Sequence, residues 1–298
     1  GNLWSLFDVE TNRFLPLKHD GRPLSYKRGG EQGGDLWLGD LEKGCVRIKV
    51  KVRNNGERTL DYTFFNSGNR ELKSDHLAVV RADSRGIVWI CTDEDVYYVK
   101  GEHAVKTNTR KHVVALVSKN GADYMVTVKG EVFKIEGNKL RLQFAPRNEI
   151  VVTKAADIGG KRIVMTTIGA AMEYNISSRT LSKSIQIPAV GGNIINDNHG
   201  NAVVLDELGH IWFTDRKTGE IIPLNVFSQQ LFPLVPSKKY KVVTSEKNGL
   251  IWVSTNGCGI TVYDRWQHQS EHIGVSSGHL STDWIQDICM DDDENVWV

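Results

Sequence analysis

The chain has 298 residues, 40% of them hydrophobic and 24% charged, with 37 Lys and Arg against 36 Asp and Glu. This is the composition of an ordinary soluble globular protein long enough to bury a sizeable core. A formal net charge of +1 excludes the global basic footprint of a nucleic-acid-binding protein.

No run approaches the ~18 apolar residues of a membrane helix; the longest are short, such as Val113-Val114-Ala115-Leu116-Val117. No signal peptide opens the chain, so an exported protein would be represented in mature or excised form. Cys45, Cys91, Cys258 and Cys289 are scattered without a CxxC pair, which speaks against a disulfide framework or a structural zinc site.

In chain order, Gly1 to Asp8 and Thr11 to Leu15 read as two strands. A Gly-containing turn and strand follow at Glu31 to Asp40. Leu77 to Val80 reads as a strand leading into the turn Asp83-Ser84-Arg85-Gly86 and the strand Ile87 to Thr92. Three weaker copies of this unit centre on Tyr124, Ile163 and Val203. A clear copy returns at Glu246 to Thr255, followed by strands at Gly259 to Asp264 and Gln269 to Ile273. A final pair of strands is expected at Ile285 to Met290 and Asn295 to Val298. Long helical periodicity is absent, and the seven prolines fall between strands or at their edges.

The copies share a register. Six residues before the anchors Trp37, Trp89, Tyr124, Ile163, Val203, Trp252 and Trp297 stands an acidic or hydroxyl residue: Glu31, Asp83, Ser118, Asp157, Asp197, Glu246 and Asp291. Three residues before them stand Gly34, Gly86, Gly121, Gly160, Gly200 and Gly249, with Glu294 the exception. Anchors are 35 to 52 residues apart. A period of ~40–50 residues with strand-rich units points to propeller blades.

The fold expected is therefore all-β: a seven-bladed β-propeller of four-stranded blades spanning residues 1–298 as a single domain. The two N-terminal strands match third and fourth strands, with Phe7-Asp8 aligned on Tyr263-Asp264, and the C-terminus supplies a first and a second. The termini would share one blade and close the ring, which removes open sheet edges. Loops connecting blades are expected near 53–60 and 224–240.

The pattern Leu280-Ser281-x-x-Trp284-Ile285-x-x-Ile288-x-x-Asp291-x-x-x-x-Val296-Trp297-Val298 resembles the two-component regulator propeller repeat. So does Leu72-x-Ser74-x-x-Leu77-x-x-Val80-x-x-Asp83-x-x-Gly86-Ile87-Val88-Trp89-Ile90-x-Thr92. The resemblance implies one propeller from the periplasmic sensor region of a hybrid two-component receptor that senses glycan fragments. It further implies an oligosaccharide ligand, neighbouring domains of the same receptor, a homodimer of the full-length protein, and a histidine kinase outside this chain. No catalytic residue, metal or cofactor is expected in it, and neither a nucleic-acid partner nor a membrane span.

Within a propeller, the loops leading into the inner strands share a face with those joining second to third strands. Ligand-binding candidates on that face are Asp75, His76, Lys111, His112, Asn148, Asn193, Tyr240, Asp283 and Trp284. They mix aromatic surface with hydrogen-bonding groups, as a sugar site requires. The Asp-x-x-Gly turns, Asp291-Asp292-Asp293-Glu294 above all, have the oxygen-rich character of calcium loops, but a repeated hairpin turn accounts for them. Trp37, Trp89, Trp252 and Trp297 read as packing between blades, and Trp212, Trp266 and Trp284 as better candidates for exposed aromatics. His268 and His272 have zinc-ligand spacing without a third ligand at a useful distance. Two other functions suit the same fold: a propeller lyase or hydrolase acting on glycans, and a structural module for protein contacts.

Overall fold

The turns registered on the anchors are left-handed at their fourth residue. Gly34, Gly86, Gly121 and Gly249 have φ of 89°, 79°, 72° and 68°, which glycine adopts without a Cβ penalty. Glu294, the exception in sequence, takes the same conformation at φ 66°. Around Asp83 the turn closes through Gly86 N–H donating to the Asp83 carbonyl (2.9 Å) and Asp83 N–H to that of Ile87 (2.9 Å). Asp291 repeats both bonds with Glu294 and Asn295, each at 3.0 Å.

The computed structural model describes the chain except residues 1, 9–11, 54–57, 120, 158–161, 168–169, 183–184, 187–192, 197–201, 206–210, 215–220, 224–239, 246, 256, 265 and 268; from 183 to 240 it describes backbone alone. The described residues form strands, turns and no helix. Six antiparallel sheets follow one another along the chain, each with four strands in chain order, the fourth sheet adding Ile185–Gln186. The first comprises Arg28–Gln32, Asp35–Asp40, Gly44–Val52 and Arg58–Phe65. The second comprises Leu77–Ala82, Val88–Thr92, Val96–Lys100 and His103–Lys106. The third to fifth begin at Val113, Val152 and Asn193. The sixth comprises Tyr240–Thr244, Leu250–Thr255, Ile260–Asp264 and Gln269–Ile273. Six anchors lie in the second strands of these sheets, and Trp297 in the second strand of the pair Cys289–Met290 and Val296–Trp297.

The second strands are apolar on both faces because neighbouring sheets cover both. Val88–Thr92 is buried at every position. Trp37 joins Cys45, Phe65, Leu77, Val88 and Ile90 in a core between the first and second sheets. Trp89, fully buried, joins Cys91, Val113, Leu116 and Met125 between the second and third. At ~25 cal/mol per Å² and ~150–250 Å² of side chain, Trp89 alone contributes roughly 4–6 kcal/mol of burial. Fourth strands mix exposed and half-buried residues, as in Gln269–Ile273.

The chain divides into two compact units, residues 1–128 with 132–143, and 129–131 with 144–298. In the first unit the inner strands Leu77–Ala82 and Val113–Lys119 are neighbours. In the second, Val152–Asp157, Asn193–Asn196 and Tyr240–Thr244 follow one another in the same way.

Three expectations need revision. Ser5–Asp8 and Arg13–Pro16 pair as a hairpin, as the third- and fourth-strand reading requires, but they stand as a separate two-stranded sheet. Residues just before them turn back instead: Asn2–Leu3 pairs with Ser25–Tyr26, and Trp4 Nε1 donates to the Tyr26 carbonyl (2.9 Å). Leu17 and Leu24 then cover Leu38 and Val46 of the first sheet. The C-terminal inner strand is shorter than expected, because only Cys289 and Met290 find ladder partners, in Trp297 and Val296. Lastly, the span 53–60 is not simply a connecting loop. Residues 58–60 belong to an eight-residue strand paired with Gly44–Val52 in a hairpin longer than those of the other sheets. The other expected loop, 224–240, lies outside the described residues except for Tyr240 at its end.

Candidate functional site

The two segments quoted for the repeat share most of their individual hydrogen bonds. In the loop before Leu77, the Asp75 carboxylate accepts from Ser67 N–H (2.6 Å) and Ser67 Oγ (2.6 Å). In the loop before Ile285, the Asp283 carboxylate accepts from Val275 N–H (2.8 Å), again eight residues earlier. His76 N–H donates to Ser74 Oγ (3.2 Å), and Trp284 N–H to Thr282 Oγ1 (3.1 Å). Arg70 at φ 66° and Gly278 at φ 74° occupy the same bend. The Asp75 carbonyl takes Gly44 N–H (3.2 Å), and that of Asp283 takes Gly257 N–H (3.0 Å) and Gly259 N–H (2.9 Å). These two aspartates therefore fasten the loop leading into an inner strand to the turn between second and third strands.

This commits both oxygens of Asp75, and one of Asp283, to the protein itself. The groups left facing solvent beside them are His76 and Trp284, the latter 64% exposed. Trp284 lies against Gly257, where a Cβ would meet its ring at 3.8 Å, so one side of the indole rests on backbone. His76 and His112 are exposed at the starts of neighbouring inner strands, their carbonyls accepting from Asp93 N–H (3.0 Å) and Val128 N–H (2.9 Å). Lys111 is half-buried, and Asn148 is exposed. Asn193 and Tyr240 open inner strands of the fifth and sixth sheets, with side chains outside the description. His76, Lys111 and His112 thus share one unit, and Trp284 and Asn148 belong to the other.

The acidic turns are structural in the described copies. Asp83 is buried, and its carboxylate accepts from the N–H groups of Arg85 (2.9 Å) and Ile87 (3.0 Å), from Trp89 Nε1 (3.0 Å) and from Arg85 Nη2 (2.6 Å). Burial by itself would raise its pKa; the hydrogen bonds from Trp89, Arg85 and Ile87 outweigh it and hold the carboxyl below 3.8. Asp291 holds Asp293 N–H, Asn295 N–H and Trp297 Nε1 in the same way. No group of three metal-ligating side chains occurs among the described residues, and His268, half of the zinc-spaced pair, lies outside them.

The tryptophans divide by what covers them. Trp37 and Trp89 are buried by the following sheet and Trp252 is half-buried, whereas Trp297, expected to pack between blades, is 61% exposed. Among the described residues its sheet has two strands, Cys289–Met290 and Val296–Trp297. Trp266 and Trp284 are exposed as expected, at 59% and 64%; Trp212 has no described side chain.

Sequence reasoning missed a cleft of about 320 Å³ lined by Lys49, Asp61, Tyr62, Thr63, Phe64, Asn69, Glu71, Glu102 and His103. Its signal was present in the alternation of Val46, Ile48, Val50 and Val52 with Arg47, Lys49 and Lys51, which is that of a strand with one polar face.

No family model matches the chain, and no curated protein sequence matches it. Solved structures do match in fold. The extracellular domain of BT4673 from B. thetaiotaomicron, described in one structure as a one component and in another as a hybrid two component system, aligns at TM-scores of 0.57 and 0.53 and identities of 15% and 14%. The higher-scoring alignment covers 89% of this chain and 38% of that one. The extracellular domain of the hybrid two component system BT3049 from the same organism aligns at TM-score 0.51 and 15% identity, over 98% of this chain and 46% of that one. AztD from Citrobacter koseri aligns at TM-score 0.57 and 13% identity, over 87% and 73%. An enzyme, the dihydro-heme d1 dehydrogenase NirN, is also among the matches, at TM-score 0.52 and 8% identity, covering 84% of this chain and 59% of that one. The chain spans less than half the length of the two extracellular domains. At these identities the likeness is one of fold.

Proposed function

We propose that this chain is an extracytoplasmic sensor module of a hybrid two-component receptor, binding oligosaccharide fragments and passing the event to neighbouring domains and a kinase beyond it. The observation that carries this reading is the repeat itself. The segments 72–92 and 280–298, which resemble the two-component regulator propeller repeat in wording, also share a hydrogen-bond framework built on Asp75, Asp83, Asp283 and Asp291. Fold likeness to extracellular domains of this receptor class supports it. In this reading the four-stranded sheets are blades of one propeller domain, and the loops leading into the inner strands present the ligand face.

On that face Trp284 is the stacking group, since its indole is exposed yet backed by the Gly257 backbone. Stacking on a fixed ring with polar neighbours is how a neutral sugar gains affinity from both its apolar face and its hydroxyls. Binding then signals only through a difference in affinity between two receptor geometries.

The experiment is calorimetric titration of the purified chain with a panel of neutral oligosaccharides, repeated with Trp284→Ala. Saturable heat that weakens ~10-fold or more in the variant supports the reading. Silence across the panel moves ligand binding to another domain. Release of new reducing ends or unsaturated products would replace the sensor with a glycan-cleaving enzyme.

A further inference from the structure

The hairpin of Gly44–Val52 and Arg58–Phe65 has two chemically different faces. On one, Val46 and Ile48 are buried with Leu17 and Leu38, and Tyr62 and Phe64 pack beside them. On the other, Arg47, Lys49 and Lys51 stand opposite Asp61 and Thr63 across the ladder. This polar face meets the turn between the last two strands of the second sheet, where Arg47 Nη1 donates to the Gly101 carbonyl (2.7 Å). The cleft of about 320 Å³ lies between them, floored by residues of the loop 66–72.

Most of its polar groups are already engaged. Arg47 Nη2 donates to Thr63 Oγ1 (3.3 Å), and Lys51 forms an ion pair with Asp61. Glu71 holds His103 Nδ1 (2.9 Å) through one oxygen and Ala104 N–H (2.6 Å) through the other. Asn69 Nδ2 donates to the Phe64 carbonyl (2.7 Å). Three groups remain: the ammonium of Lys49, a half-buried residue without an ion pair or hydrogen bond among the described residues, the Glu102 carboxylate, and Nε2 of His103. With Nδ1 occupied by Glu71, the second imidazole nitrogen is left for a ligand.

Asp61, opposite Lys49 across the ladder, is paired with Lys51, which leaves the Lys49 ammonium without an ion pair of its own among the described residues. Its complement is one carboxylate. Glu102 and His103 add hydrogen-bonding sites suited to hydroxyls, and Glu102 repels a second acidic group. The volume, at the lower end of the ~300–1,000 Å³ of small-molecule sites, suits one or two sugar units. We propose that this cleft binds a singly acidic saccharide, a hexuronate or a disaccharide ending in one, with Lys49 on its carboxylate and Glu102 and His103 on its hydroxyls. The proposal rests on the sensor reading above, but places an acidic sugar away from Trp284.

The test is titration of the purified chain, followed by nuclear magnetic resonance or calorimetry, with galacturonate, glucuronate and their disaccharides, each beside its neutral parent sugar and a polysulfated disaccharide. Expected are saturable uronate binding, neutral and polysulfated sugars weaker by ~10-fold or more, and a loss of ~10-fold or more in Lys49→Met, with binding unchanged in Trp284→Ala. Lys49 is only half-buried, so an unchanged thermal transition in Lys49→Met confirms that folding is intact. Absence of uronate binding, equal binding of uronate and parent sugar, or full affinity in Lys49→Met overturns the proposal. If neutral oligosaccharides still bind and lose affinity in Trp284→Ala, the sensor reading survives that outcome. If neutral oligosaccharides give no signal while uronate binds in a Lys49-dependent way, the Trp284 face fails and the cleft stands.

Discussion

Replacing Asp83 by Ala tests the energetic core of the repeat. Its carboxylate is fully buried and serves two backbone N–H groups, one indole N–H and the Arg85 guanidinium. Arg85 is 41% exposed, so its pair with Asp83 is worth about 0–1 kcal/mol. The backbone N–H groups belong to a surface turn, where water replaces the lost acceptor at a cost of about 0.5–1 kcal/mol each. Trp89 is 0% exposed, and its N–H would be left buried without a partner, a cost of about 1–3 kcal/mol. The expected loss is about 2–6 kcal/mol, a range that includes the cost of breaking a buried charged contact. Urea unfolding followed by tryptophan fluorescence measures it, with a cycle of Asp83→Ala and Trp89→Phe isolating the indole contribution. The same turn around Asp291 is solvent-exposed, so Asp291→Ala should cost clearly less. A loss below about 1 kcal/mol for Asp83→Ala, or equal losses at the two positions, refutes the argument that burial of the indole sets the magnitude. The pH dependence has a definite sign. The folded pKa of Asp83 lies below its ordinary 3.8, so its stabilisation is full above that value and fades as pH falls through the folded pKa. Asp83→Ala should therefore flatten the acid limb of the stability curve and leave its slope near neutrality unchanged.

Two further outcomes follow from local geometry. Gly44 has φ 66°, and a Cβ there would stand 2.2 Å from the Phe65 carbonyl oxygen, so Gly44→Ala should lower stability by at least about 2 kcal/mol in the same urea assay. Cys45, Cys91 and Cys258 are buried and Cys289 is exposed; burial pushes the Cys91 thiol up to about 12 and raises that of Cys45 further. A maleimide titration at pH 7.5 should label one thiol per native chain and four after unfolding, and rapid native labelling of Cys91 would contradict its packing beside Trp89.

Much of the fold was legible because its determinants are local. A turn needs an acceptor at its first residue and a left-handed fourth residue, so Asp83 and Gly86 announce it within four positions. Alternation of side chains then locates the strand, and the expected strand Gln269 to Ile273 matches the observed one residue for residue. The seventh turn kept its geometry without its glycine, since Glu294 adopts the left-handed bend within the same Asp291-based hydrogen bonds. Other features depend on residues far apart in the chain. Asp75 and Asp283 look like ligand groups until their loops fold back and engage both oxygens of the first and one of the second. Trp89 and Trp297 stand at the same register position and each donates its indole N–H to the aspartate six residues earlier, yet one is buried and the other exposed. Trp89 is buried by residues of the third sheet, which no local pattern encodes. The cleft beside Lys49 joins positions 49 to 103 from two sheets and the loop between them. The spacing of turns and strands was thus written in neighbouring residues, whereas burial, committed carboxylates and the cleft arose when distant segments met. Local conformational preference acts over a few residues, but desolvation and hydrogen-bond satisfaction are decided by whatever the fold brings alongside.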